Sequence, residues 1–260
     1  MRIPSKTFMS GLVGAFLLLV FFAASAYSVT SEVVPDRIEI GSFYHGSNVV
    51  VTGEVEAGKD IIIQFSSPGK EAHFRKKGKT GGLLWMNVGE LEFKPVSDLY
   101  LIYSTKDINA ILSPDQQDKF MLGYDAFRRR VEVSPISDES EKTKWVNEFI
   151  KFKEKNRIYG IFTGEIETKT DGDRETFKLS IDWPYQALPQ NYTVSVYAVK
   201  NNKVQDYTQS SLNVEKVGAL KFLSNMAYNK AMIYGVVSIL IAFAAGFIVS
   251  VMFKGGGGSH

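Results

Sequence analysis

Asn48 to Ser66 reads NVVVTGEVEAGKDIIIQFS, and this stretch decides the fold class. Two runs rich in β-branched residues, Asn48 to Val55 and Asp60 to Ser66, flank Gly58, as expected for short antiparallel strands joined by a turn. The signal continues outward. Arg37 to Gly41 precedes it, and Ala72 to Lys76, Leu83 to Val88 and Leu99 to Ser104 follow, with Gly46, Pro68-Gly69 and Gly78 as turn formers between them. Six such strands in about 70 residues indicate a sandwich or barrel.

Downstream the period changes. Ile108 to Arg130 and Glu141 to Arg157 carry apolar residues at helical spacing, for example Trp145, Phe149 and Phe152, and Ser113-Pro114 marks a helix start. Strand-like sequence resumes at Ile158 to Thr168, Glu175 to Trp183, Tyr192 to Lys200 and Ser211 to Val217, with Asp171-Gly172 and Asn201-Asn202 at hairpin turns. Ala231 to Phe253 is 23 residues without a charge. At about 1.5 Å per residue it reaches roughly 34 Å and spans a bilayer core. Leu220, Phe222, Leu223 and Met226 form an apolar stripe before it, suited to a membrane surface.

The expected fold is mainly β: an immunoglobulin-like β-sandwich ectodomain, one large or two small sandwiches, with a helical insertion and a single C-terminal transmembrane helix. The expected divisions are a signal peptide (residues 1–26), a first β-sandwich region (32–107), the helical insertion (108–157), a second β-sandwich region (158–217), the juxtamembrane and transmembrane helix (218–254) and a linker and tag remnant (255–260). Arg2 and Lys6 precede an apolar run from Gly11 to Ala23, and Ala24-Ser25-Ala26 supplies a cleavage site. Phe8 to Ala26 is also long enough to persist as a second anchor. Export places the bulk of the chain in the periplasm, on a single-pass inner-membrane anchor.

Only Arg2, Lys6 and Lys254 among the 30 Lys and Arg lie outside Tyr27 to Lys230, which leaves 27 cations there against 28 Asp and Glu. Such a near-neutral ectodomain is not expected to bind nucleic acid. There is no cysteine, so neither a thiol nucleophile nor a disulfide framework is available. Outside the tag the histidines are His45 and His73, in no recognisable nucleophile motif and too few for a soft-metal site. No enzyme activity, metal or cofactor is expected. Asn191-Tyr192-Thr193 fits a glycosylation acceptor by its letters alone.

Two features stand out as candidate sites. His73, Arg75, Lys76, Lys77 and Lys79 gather cations at what reads as a hairpin turn around Gly78, able to hold a small oxyanion or to serve as a solvated strand edge. Gly235, Ser238, Ala242, Gly246 and Ser250 line a small-residue face of the span, suited to close helix packing against a second copy or another membrane protein. Arg128-Arg129-Arg130 reads as a solvated helix end, and Phe43-Tyr44-His45-Gly46 as a loop whose aromatics pack while His45 is exposed.

Several segments together carry a resemblance: Arg37 to Gly41 with Phe43-Tyr44-His45-Gly46, Val49 to Glu54, Arg75-Lys76-Lys77-Gly78-Lys79, Leu84-Trp85-Met86-Asn87, Tyr192 to Tyr197, Val214 to Gly218 and Tyr234-Gly235. They resemble an uncharacterised transmembrane protein family first described from alphaproteobacteria. The resemblance implies a periplasmic domain on one C-terminal membrane helix, often encoded near sulfite-exporter-like anion permeases. The chain departs from the family pattern at Asn191, which stands where a turn glycine is expected, and in the charged helix Glu141 to Arg157. The function expected is that of a membrane-anchored periplasmic accessory or scaffolding subunit of an envelope complex, its partners being the membrane, other envelope proteins including such a permease, or itself. The alternative is a periplasmic small-anion-binding module that reports to or feeds a transporter.

Overall fold

The computed structural model describes residues 28–80 and 84–254. Two facing sheets form the centre. One has strand order β1 (Thr30–Val34), β3 (Asn48–Glu56), β11 (Arg174–Asp182), β10 (Glu167–Asp171), all antiparallel. The other runs β2 (Arg37–Ile40), β13 (Lys203–Lys216), β12 (Asn191–Lys200), β4 (Asp60–Ser66), β7 (Tyr100–Ser104), β9 (Tyr159–Thr163), antiparallel within and parallel at both ends. Both sheets combine strands from before and after the helices, so neither stretch closes a sheet alone, and one core is shared.

The opening sequence explains the layering. β3 alternates, sending Val49, Val51 and Val55 inward while its other face stays open, as in a sheet wetted on one side. β4 has no alternation: Ile61, Ile62, Ile63 and Phe65 are all fully buried. Its sheet is therefore covered twice. Ile61, Ile63 and Phe65 enter the core between the sheets, and Ile62 enters a second core on the opposite face. Gly53 on β3 is required by close approach, because a Cβ there would lie 2.0 Å from the Thr30 carbonyl oxygen and 2.6 Å from the Phe177 ring.

The second core is roofed by α1 (Ile108–Ile111), α2 (Pro114–Phe120), α3 (Tyr124–Arg130), α4 (Glu139–Lys155) and a long hairpin of β5 (Lys70–Thr80) and β6 (Leu84–Val96), to which β8 (Glu132–Ser134) adds a short edge. The helices form the crossover that parallel β7 and β9 need. α4 begins where the Asp138 side chain accepts from the Glu141 amide at 2.7 Å, with acids in its first turn and lysines in its last. The Ser113 side chain makes no cap bond; its carbonyl instead accepts from the amides of Gln116 and Gln117.

Asn201 and Asn202 both have positive φ between paired Lys200 and Lys203, the two-residue turn their sequence predicts. Asn191 is different. It is paired with Asn213 as the first residue of β12 and is absent from the left-handed positions, so the position expected to hold a turn glycine needs none. One residue on, the Tyr192 hydroxyl donates to the Leu188 carbonyl at 2.6 Å, closing the corner into β12. β13 leads through Val217 into α5 (Gly218–Asn229) and then α6 (Ala231–Lys254), a helix long and apolar enough to cross a membrane. The signal peptide, cleavage site and tag expectations fall outside the described residues.

Candidate functional site

The basic run lies within β5, which pairs with β6 as far as Thr80 opposite Leu84. The expected turn at Gly78 is thus corrected. Gly78 sits opposite Met86, and a Cβ there would lie 2.9 Å from Val88, so the glycine makes room for a side chain in a strand. Alternation divides the cations. Lys76 shares the face of Ala72 and Phe74, whereas His73, Arg75, Lys77 and Lys79 occupy the opposite one. At about 3.4 Å per residue, His73 and Lys79 stand roughly 20 Å apart along the strand. The five residues are strung along an arm and do not converge on one small anion.

Acids also meet them. His73 Nδ1 lies 3.5 Å from Glu90, Arg75 is directly opposite Glu90, and Lys76 Nζ lies 3.3 Å from Glu141 and 4.8 Å above the Trp145 ring. The Trp145 indole N–H, which donates to Glu141 at 3.1 Å, and then Lys76 hold the Glu141 carboxyl below the usual range. This cluster fastens the hairpin to the start of α4.

The base of the hairpin is an aromatic joint. Phe93 stacks on Phe149 with centroids 4.8 Å apart, and Phe74 meets Phe149 edge-on at 5.3 Å. The same face continues outward past the helix. There an extra residue on β6 shifts the register, and Leu84, Met86 and Val88 are 67%, 52% and 49% exposed. An apolar face is thus covered at one end and bare at the other.

α5 buries none of its residues, leaving Phe222 and Leu223 exposed, while Lys216 donates to Ser224 and Lys221 pairs with Glu215 to hold it to the end of β13. On α6, Gly235, Ser238, Ala242, Gly246 and Ser250 recur at steps of three and four. Each step of four advances about 40° around a helix, so the small residues form a slanted ridge suited to a crossing partner. The Ser238 hydroxyl donates to the Tyr234 carbonyl within the helix.

In the aromatic loop, Tyr44 packs on the central core and meets Tyr185 edge-on, Phe43 is exposed, and the Tyr185 hydroxyl donates to the His45 carbonyl. The arginine triplet does not act as one solvated end. Arg128 is held by Asp125 and Asn147, and Arg129 grips Asp118 with two nitrogens. Arg130 has no ion-pair partner among the described residues and borders a cleft of about 350 Å³. The cleft floor is the sheet face that elsewhere carries Ile62 and Val199, here turned polar by Gln64, Ser66, Thr193 and Ser195. The left-handed Met121 at the end of α2 turns its carbonyl to accept from Tyr100 at 2.7 Å and Gln64 at 3.1 Å. Burial pushes the Tyr100 hydroxyl well up, so it remains a protonated donor. The signal missed in the sequence was the Gln64-x-Ser66 and Thr193-x-Ser195 alternation inside two apolar strands.

No curated protein matches the chain. A family description covering residues 28–255 does, taking in the sandwich, the hairpin, the cleft and the span. The chain belongs to the family described as "Putative transmembrane protein (Alph_Pro_TM)".

Proposed function

We propose that this is a non-enzymatic, membrane-anchored periplasmic accessory or scaffolding subunit of an inner-membrane complex, whose hairpin docks on a partner membrane protein, a polytopic anion permease or a second copy. The observation that carries this reading is the unpartnered run Leu84, Met86 and Val88, which continues a face already used for core packing. Exposed apolar side chains aligned on a projecting ribbon are the chemistry of a docking surface. Export and periplasmic placement rest on the Arg2-Lys6 start, the apolar run and Ala24-Ser25-Ala26. The span supplies the membrane, and its small-residue ridge a second contact.

The sandwich in this reading is immunoglobulin-like. Support comes from the strand order: β1-β3-β11-β10 follows the A-B-E-D plan, and β2-β13-β12-β4-β7-β9 follows a G-F-C sheet extended at both edges. Tyr192, at the start of the strand in the F place and bonded back to Leu188, occupies the position of the corner tyrosine of such domains. The hairpin then lies in the C to C′ connection and the helices in the next.

Purification in mild detergent tests the docking role. Leu84→Asp with Met86→Asp is expected to abolish co-purification of the partner or self-crosslinking while leaving the melting temperature unchanged, because both side chains are more than half exposed. Retention of the same partners by this variant would overturn the hairpin as the docking element.

A further inference from the structure

We infer that the cleft bordered by Arg130 is a binding site for a small organic carboxylate, a role beyond docking. Ser66 and Thr193 are direct neighbours across β4 and β12, and neither side chain makes a hydrogen bond among the described residues. Ser195 already accepts from Gln209 at 3.1 Å, and Gln64 is satisfied at both ends by Met121 and Tyr197. The network beneath is closed, and the two hydroxyls above it are open. They point to a ligand with acceptor oxygens, because a partly buried hydroxyl without a protein acceptor is stabilised by one that a ligand supplies.

Charge selects the class. Arg130 borders the cleft, and no carboxylate among the described residues lines it, so the site favours an anion over a neutral or cationic molecule. The neighbouring Arg128 and Arg129 are already occupied by acids of the helices, which leaves one cation for one negative charge. Phe120, Met121 and Phe127 also line the cleft, apolar surface that an inorganic oxyanion would leave unused. At a water's share of roughly 30 Å³, 350 Å³ is room for on the order of ten water-sized groups, enough for a small organic acid. A monocarboxylate with an apolar body satisfies the cation, the hydroxyls and the wall together.

The test uses the full chain in detergent with hexanoate and benzoate as probes, and with benzyl alcohol and sulfate as controls that lack the charge or the apolar body. At millimolar concentration one or both carboxylates should raise the melting temperature, and the controls should not. Arg130→Gln should weaken carboxylate binding about tenfold, equivalent to about 1.4 kcal/mol. Thr193→Val should weaken it less, and Arg129→Gln not at all. Arg130 is exposed and has no ion-pair partner among the described residues, so its variant should melt at the parental temperature without ligand. The inference is overturned if neither carboxylate shifts the melting temperature, if sulfate does so equally, or if Arg130→Gln and Arg129→Gln respond alike.

Discussion

The two faces of the six-stranded sheet are covered in different ways. Towards the four-stranded sheet the packing is sheet on sheet, with Val49, Val51, Phe65, Val194 and Leu212 completely or almost completely buried. Towards the helices the cover is assembled from short segments and a hairpin, and polar groups enter with it: Lys153, Gln64, Gln117 and three tyrosines whose hydroxyls find partners. A sheet laid on a sheet repeats its own spacing and leaves few gaps. A patchwork roof does not, and its seams leave both the Arg130 cleft and the bare end of the hairpin.

The sharpest way to break this contrast is to truncate one aromatic on each side. Phe65→Ala should cost about 3–5 kcal/mol, because Phe65 is fully buried against Tyr103 and Trp183. Its unfolding transition should shift as one event. Phe149→Ala removes the joint between α4 and the hairpin, and should show first as faster hydrogen exchange and proteolysis at residues 70–96 while the sandwich amides stay protected. Equal loss of protection in both layers would show that they are one cooperative unit.

A smaller effect is expected at the entry to β12. Tyr192→Phe deletes the bond donated to Leu188 and the one accepted from Gln190, and should cost about 0.5–1.5 kcal/mol or somewhat more by denaturant titration. No change would remove the corner as a support of the sandwich.

The smallest effect concerns pH. Lys153 is buried between the Phe149 and Tyr159 rings, and burial lowers its pKa, opposed by Asp98 and assisted by Lys70. The unfolded chain holds that proton more tightly, so the penalty is fully present below the folded pKa and is relieved as pH rises from there towards 10.5. Lys153→Met should therefore stabilise the fold at neutral pH and flatten the alkaline rise in melting temperature. A variant with the parental slope would show that Lys153 does not contribute to it.

The layered sheet was legible in two adjacent runs: VVVT alternates in burial and IIIQF does not, and the structure wets one and encloses the other. The asparagine turn was equally legible, because few residues accept two consecutive positive φ values. The hairpin arm was not. Gly78 carries the same letter whether it turns the chain or makes room for Val88, and only the partner strand tells the two apart. Nor could three consecutive arginines reveal that Asp118, eleven residues before Arg129, would take one of them and leave Arg130 unpaired. Side-chain pairing between elements depends on their packing, which no local period encodes.

β13 passes into α5 with Val217 alone between them, and α5 into α6 through Lys230. A twelve-residue helix is about 18 Å long, so the leash is short. A domain held this way searches a thin layer over the bilayer instead of a volume, and any partner embedded in that bilayer is met at a high effective concentration. In the docking role proposed above, weak contacts at the hairpin and along the small-residue ridge would then suffice jointly where neither would hold in free solution. Lengthening the leash would dilute the partner without altering a single contact.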